Sequence, residues 1–315
     1  MQKKKIAVVG AGPAGLMAAI RAGELGQEVI LFDKNPTLGK KLLLSGKGRC
    51  NLTNASGLDL FLKRFSNNGQ FLRDAFKKFF NRNLMDFFQS RGLPLKIERQ
   101  LRVFPVTDSS SDIVGVLEKE LVKQKVKIML NAKVREILVK EGRVEGLYLE
   151  PAEFIPCAKI ILATGGASYK FTGSTGEGLD IAKRLGHYVV PLRPGLVPLV
   201  TKEKYPKDLE GLTLKNIRLK FCADKFEIIS EIGELLFTGF GISGPLVLTL
   251  SGKIADWLNN KEVFAEIDLK PALSLEQLDS RFLREFKTNP RKGIKNIMKN
   301  LLPLKLIDLF MELAK

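Results

Sequence analysis

The chain has 315 residues, 45% of them hydrophobic, and a formal net charge of +17. That is enough length for two or three domains with a real core. Three widely spaced cysteines (Cys50, Cys157, Cys222) argue against a disulfide framework, the lone His187 excludes a multi-histidine metal centre, and no apolar run reaches the length of a membrane span.

Met1-Gln2-Lys3-Lys4-Lys5 leads straight into a strand and leaves no room for a signal peptide, so the cytoplasm is the expected location. The apolar run Ile6–Val9 is followed at once by Gly10-Ala11-Gly12-Pro13-Ala14-Gly15 and a helical pattern over 16–25. This is the strand–turn–helix of a dinucleotide-binding unit. Gly10 allows the tight turn, Gly12 lets a pyrophosphate approach the backbone, and Gly15 lets the helix lie close to the sheet. Unpaired N–H groups and the positive end of the helix dipole then face the phosphates. A second apolar run, Val29–Phe32, ends in Asp33. Its carboxylate is placed to accept from ribose hydroxyls, which favours NAD or FAD over NADP at this site. A glycine-rich turn in another kind of α/β protein, with Asp33 merely solvated, is the plainer alternative.

Residues 39–54 read Gly-Lys-Lys-Leu-Leu-Leu-Ser-Gly-Lys-Gly-Arg-Cys-Asn-Leu-Thr-Asn, mixing small residues, amides, hydroxyls and four cations. Such a loop can bring backbone N–H groups and polar tips to a ligand, and a solvated basic loop is the bland alternative. The run resembles, at every fixed position, the G-K-K-x-x-x-S-G-x-G-R-C-N-x-T-N hallmark of the BaiN/YhiN-like flavoproteins, also labelled aminoacetone-oxidase-family FAD-binding enzymes. The resemblance implies an α/β fold: a Rossmann-like FAD-binding domain of the two-dinucleotide-binding flavoprotein type, with an inserted β-rich domain and a helical segment. It implies FAD held by Gly10, Gly12, Pro13, Ala14, Gly15 and Asp33, with contacts from Lys34, Lys41, Ser45, Gly46, Gly48, Arg49, Cys50, Asn51 and Thr53. The family usually has Glu where this chain has Asp33, a change that shortens the reach by one methylene. Arg49 and Lys47 are the candidates for the positive charge that stabilises an anionic reduced flavin. Cys50 is weighed as a nucleophile against a small buried residue, and no Cys-x-x-Cys supports a disulfide relay.

Two amphipathic helical patterns follow at about 68–80 and 82–91, rich in Phe and Lys. Phe71, Phe76, Phe79, Phe80, Phe87 and Phe88 suit core packing better than an aromatic cofactor box. Arg102-Val103-Phe104-Pro105 resembles the family's G-R-V-F-P element, with Leu101 in place of the glycine. Ser109-Ser110-Ser111-Asp112 reads as the cap of a helix over 113–123. Residues 126–130 and 133–139 read as strands, and Gly142 punctuates a hairpin to 144–149. By resemblance to two-dinucleotide-binding flavoproteins, backbone at Val134 contacts the adenine; a buried strand valine is the compatible plain reading. The strand Lys159–Leu162 ends in Ala163-Thr164-Gly165-Gly166, which resembles the second FAD-contact motif of that superfamily and nominates Thr164, Gly165 and Gly166. Gly173-Ser174-Thr175-Gly176-Glu177-Gly178 opens a helix to about 185 and resembles a helix start of fumarate-reductase-like flavoproteins. Helix–sheet packing near the flavin is the preferred reading over a second nucleotide site. His187, just past this helix, reads as a capping or surface residue rather than a base.

Pro191, Pro194, Gly195 and Pro198 mark a boundary. The expected domains are 1–190 for FAD, 191–268 as a β-rich substrate-side domain, and 269–315 as a helical segment. Strands are expected at 219–222, 226–230, 235–238 and 263–267. Residues 233–245 resemble a second family hallmark, G-E-L-L-F-T-x-x-G-I-S-G-P, with Pro245 starting a helix. Ser274-Leu275-Glu276-Gln277 is a capping-box pattern. Family members continue into a G-E-x-x-D-x-x-G-x-x-G-G-Y-N-type motif that closes the FAD domain. Its absence here implies a truncated or split product, with weak or absent FAD binding by the isolated chain and a separate chain that could carry that segment. The expected function is an FAD-dependent oxidoreductase moving a hydride between flavin and a small organic substrate, with NAD(P)H as reductant and no metal. The cations are spread along the chain without a long basic block, so neither a specific nucleic-acid partner nor a membrane is expected. The alternatives are a non-enzymatic fragment or half of a split flavoprotein and, below it, a basic flavoprotein acting on RNA.

Overall fold

The computed structural model describes residues 5–313, without the side chains of Ser66 and Asn67. Met1–Lys4, read as leading directly into the first strand, lie outside the described residues. The chain divides into two compact units, Met1–Val190 and Pro191–Lys315.

The first unit begins with β1 (Ile6–Val9), α1 (Pro13–Glu24), β2 (Val29–Phe32), α2 (Lys40–Leu44) and β3 (Thr53–Asn54). Three short helices follow: α3 (Leu58–Lys63), α4 (Arg73–Lys78) and α5 (Asn81–Gln89). Then come β4 (Leu95–Glu98), β5 (Arg102–Pro105), α6 (Ser110–Lys123), β6 (Lys127–Met129), β7 (Val134–Lys140), β8 (Arg143–Leu149), β9 (Phe154–Pro156), β10 (Lys159–Leu162) and α7 (Glu177–Arg184). The central sheet has the order β10-β1-β2-β6, and all its pairs are parallel. Successive side chains of a strand point to opposite faces, so a sheet covered on both sides needs apolar runs without alternation. The runs at 6–9 and 29–32 meet that need. Val8 and Leu31 face α1 and α6 through Leu16, Ile20, Ile113 and Leu117. Ala7, Val9, Ile30 and Phe32 face the β7-β8-β9 sheet through Val134, Leu147 and Leu149.

A third sheet, β3-β5-β4, carries the end of the 39–54 run. The expected helix over 68–80 is broken into a 3-10 segment, Ser66–Leu72, and α4. Gly69 explains the break: a Cβ there would lie 2.1 Å from the Leu62 carbonyl oxygen, because the chain folds back on the end of α3. The phenylalanines therefore split. Phe88 is buried and Phe76 and Phe80 pack on Phe61, but Phe71 is 89% exposed, against its expected place in a core.

In the second unit, six strands form an antiparallel sheet: β11 (Leu199–Val200), β12 (Thr213–Ala223), β13 (Phe226–Ile229), β14 (Gly233–Thr238), β15 (Gly241–Ser243) and, after the helix α8 (Pro245–Asn260), β16 (Phe264–Asp268). Leu246, Val247, Leu250 and Ile254 of α8 cover Leu214, Leu235 and Phe237 of the sheet. Three further helices follow: α9 (Leu275–Thr288), α10 (Ile294–Met298) and α11 (Leu304–Leu313). The Ser274 hydroxyl accepts from the Gln277 N–H at 3.2 Å, and the Gln277 side chain accepts from the Ser274 N–H at 2.9 Å, a complete capping box.

Candidate functional site

A cavity of about 300 Å³ opens at the carboxyl ends of β1, β2 and β10, where open parallel sheets place their ligands. Three glycines shape its floor by different means. Gly10 has φ +105°, and a Cβ on it would lie 2.5 Å from the Ala163 carbonyl oxygen. A Cβ on Gly15 would lie 1.8 Å from the Gly10 carbonyl oxygen. Both positions are consumed by the contact between α1, β1 and the end of β10. Gly12 differs: a Cβ there would meet nothing within 4 Å. It faces open cavity at the start of α1, where the first-turn N–H groups have no intrahelical acceptor.

Asp33 borders the cavity at the end of β2. One carboxylate oxygen accepts from the Ala11 N–H at 2.6 Å; the other accepts from the Asn35 N–H at 2.7 Å and the Asn35 side-chain amide at 2.9 Å. A carboxylate offers about four acceptor positions, so about one remains for a ribose hydroxyl. Asp33 thus also binds the glycine turn to the β2 loop. Asn35 in turn donates to the Thr172 carbonyl at 3.1 Å, tying this loop to the segment before α7.

Charge gathers on the same wall. The Lys34 ammonium donates to Glu177 at 2.8 Å and to Thr175 at 3.1 Å, and Lys133 lies 3.8 Å from Glu177. The Lys34 hydrogen bond, supported by the charges of Lys34 and Lys133, holds the Glu177 carboxyl below the usual range. Hydrogen bonding to Glu150, then the charge of Glu177, holds the Lys133 ammonium above its own. Lys41 lines the cavity and has no acidic partner among the described residues.

The cavity brings together Gly10, Gly12, Pro13, Ala14, Asp33, Lys34, Lys41, Val134, Thr164 and Gly165 from the sequence-nominated set. Gly15 does not line it and meets it only through Gly10, whose carbonyl a Cβ on Gly15 would strike. Ser45, Gly46, Lys47, Gly48, Arg49, Cys50, Asn51, Thr53 and Gly166 do not line it. Arg49 is committed elsewhere: it donates to Glu98 at 2.8 and 3.2 Å and to Asp108 at 3.0 Å, and its guanidinium lies 4.0 Å from the Phe104 ring centre. Two carboxylates thus offset its charge, and it fastens the loop after α2 to the β4–β5 hairpin. Lys47 is exposed, with φ +59°. Cys50 is buried, and burial pushes its thiol up, away from nucleophilic use. Burial likewise pushes the Cys157 thiol up to about 11. His187 is exposed. Sequence reasoning missed Asn35, Lys40, Lys133 and Thr172 as lining residues. Only Asn35 carried a signal, since Asp-x-Asn after a strand favours a side chain-to-backbone turn.

An open approach at Gly12, free helix-start donors and an unpaired Lys41 converge on one cavity. That set fits the anionic diphosphate of a dinucleotide.

The chain has known relatives in sequence and in fold. The family model described as HI0933-like protein Rossmann domain matches residues 4–266. A ribosomal RNA dihydrouridine synthase of Haemophilus influenzae is 31% identical over 310 residues, covering 97% of this chain and 73% of that protein. A 3-dehydro-bile acid delta(4,6)-reductase of Clostridium scindens is 30% identical over 321 residues, covering 98% and 75%. Among solved structures, an E. coli quinol fumarate reductase superposes with a TM-score of 0.50 at 17% identity, covering 91% of this chain and 57% of that one, a likeness of fold. Among the described residues no group of three or more His, Cys, Asp or Glu could hold a metal ion, and no helix is long and apolar enough to cross a membrane.

Proposed function

The chain belongs to the HI0933-like Rossmann family of flavoprotein oxidoreductases, and from that premise we propose that it reduces an electron-poor carbon–carbon double bond, with uridine in ribosomal RNA as substrate. The observation that carries the reading is the cavity over Gly12, bordered by Asp33 and Lys41. FAD supplies the hydride chemistry when bound, with NAD(P)H as its reductant. Gly12 and the first-turn N–H groups of α1 bind the diphosphate, Lys41 offsets its charge, and Asp33 orients the adenosine ribose. Val134 and Ile181 form apolar wall and exclude water.

The named products of the two relatives support the choice of bond. Dihydrouridine is uridine saturated at a ring double bond conjugated to a carbonyl, and a delta(4,6)-reductase also works on double bonds near a ketone. The +17 charge favours the RNA substrate, because a polyphosphate chain is drawn to a cationic surface. RNA as substrate also puts the protein in the cytoplasm. The small organic substrate expected from sequence remains as the second reading, favoured by the C. scindens relative.

The test is anaerobic incubation of the chain with FAD, NADPH and ribosomal RNA, followed by nucleoside mass spectrometry. The reading expects a uridine two hydrogens heavier. A conjugated ketone reduced in place of RNA would select the second reading, and reduction of neither would overturn both.

A further inference from the structure

Between β3 and α5 the chain leaves the sheet, builds a small helical knob from α3, the 3-10 segment and α4, and returns. Asn81 closes the excursion: its buried side-chain amide donates to the carbonyls of Asn54 at 2.7 Å and Ser56 at 2.8 Å. The knob has its own aromatic core. Phe61 lies 5.3 Å from Phe76 and 5.1 Å from Phe80, ring centre to ring centre and edge to face. Phe71 takes no part in it. Its ring is 89% exposed, and Phe79, at 43%, is also open to solvent. Lys63, Arg64, Lys78 and Arg82 surround this stretch in sequence, and none has an acidic partner among the described residues. Asp59 and Asp74, the acids of the same stretch, are already paired with Arg73 and Lys77.

An exposed ring alone is ordinary. An exposed ring on a knob of unpaired cations is the combination that binds single strands, since every base offers a π-face and every phosphate a charge. We infer that this knob is a docking platform for single-stranded RNA, with Phe71 stacking on an unpaired base and Lys63, Arg64, Lys78 and Arg82 meeting phosphates. The inference rests on the RNA reading of the site and deepens it. A base must leave its stack before a flavin can reach its ring, and the knob belongs to the same compact unit as the Gly12 cavity. A lipid surface is the weaker match. Helices of six residues give no extended apolar face to lie in a membrane, and three of the knob's six rings, Phe61, Phe76 and Phe80, pack on one another instead of facing out.

The test uses the whole chain and a fluorescent single-stranded RNA of roughly a dozen nucleotides, read by anisotropy. Phe71→Ala should weaken binding roughly 5- to 100-fold, Phe71→Trp should restore it, and the pair Lys63→Gln with Arg64→Gln should flatten the salt slope by about 1.4. FAD affinity, measured on the same preparations, should not change. RNA binding by Phe71→Ala equal to wild type, no RNA binding by wild type, or Phe71-dependent capture by phosphatidylserine vesicles instead would overturn the knob and leave the FAD site standing. Binding through Phe71 without any dihydrouridine formed would instead overturn the reaction and leave the knob.

Discussion

Leu101 stands where the family element has glycine, and the backbone there is left-handed, with φ +58° after Gln100 at +61°. That conformation costs a non-glycine residue about 1–2 kcal/mol, and Leu101 is 46% exposed, so little burial offsets it. Leu101→Gly should therefore raise stability by about 1 kcal/mol, seen as a higher denaturant midpoint with unchanged slope. Glu177 gives a pH prediction. Its carboxyl is held below the ordinary 4.5, so the Lys34–Glu177 tie contributes fully above that value and is lost as pH falls through the lower folded-state value. Glu177→Gln should remove this acid-side loss, measured as thermal midpoint against pH. At this scale the glycines were legible because their roles are backbone roles that spacing alone reveals. The pairing of Arg49 with Glu98 and Asp108 was not, because ion pairs formed across 49 and 59 residues leave no local pattern.

Where one element meets another, single atoms decide the spacing. A Cβ on Gly178 would lie 1.7 Å from the Thr164 hydroxyl, so α7 approaches the end of β10 as only glycine allows. Gly178→Ala should destabilise the first unit by about 1–3 kcal/mol and distort the cavity wall, read as a lower thermal midpoint and weaker FAD binding. Ser274→Ala should cost about 1 kcal/mol by removing the cap of α9, with no effect on the cavity. The β1–α1–β2 unit was readable because apolar runs, glycines and helical period agree there. The helix expected over 68–80 has a real apolar period, yet Gly69 packs on the Leu62 carbonyl and breaks it into short pieces. The helix expected over 113–123 behind a Ser109–Asp112 cap starts earlier, at Ser110, and the Ser109 hydroxyl lies 2.6 Å from that of Ser111 and does not cap it.

The molecule joins a parallel-sheet unit, whose crevice has the form of a dinucleotide site, to an antiparallel-sheet unit that closes its own core. Most of the +17 charge falls in residues 1–190, the unit that holds the cavity. A cationic unit around an anionic cofactor site should bind both FAD and RNA less tightly as salt rises. The central claim is that the space above Gly12 takes the diphosphate of FAD, and Gly12→Val isolates it, because the new side chain meets no protein atom within 4 Å at its Cβ. The decisive measurement is a fluorescence-quenching titration of FAD into the wild type and this variant. Against the weak or absent binding that the missing closing motif implies, the account predicts saturable one-to-one binding by the wild type and at least a hundredfold weaker binding by a variant of unchanged thermal stability. Equal affinity in the two proteins, or no saturable binding by the wild type, would contradict it.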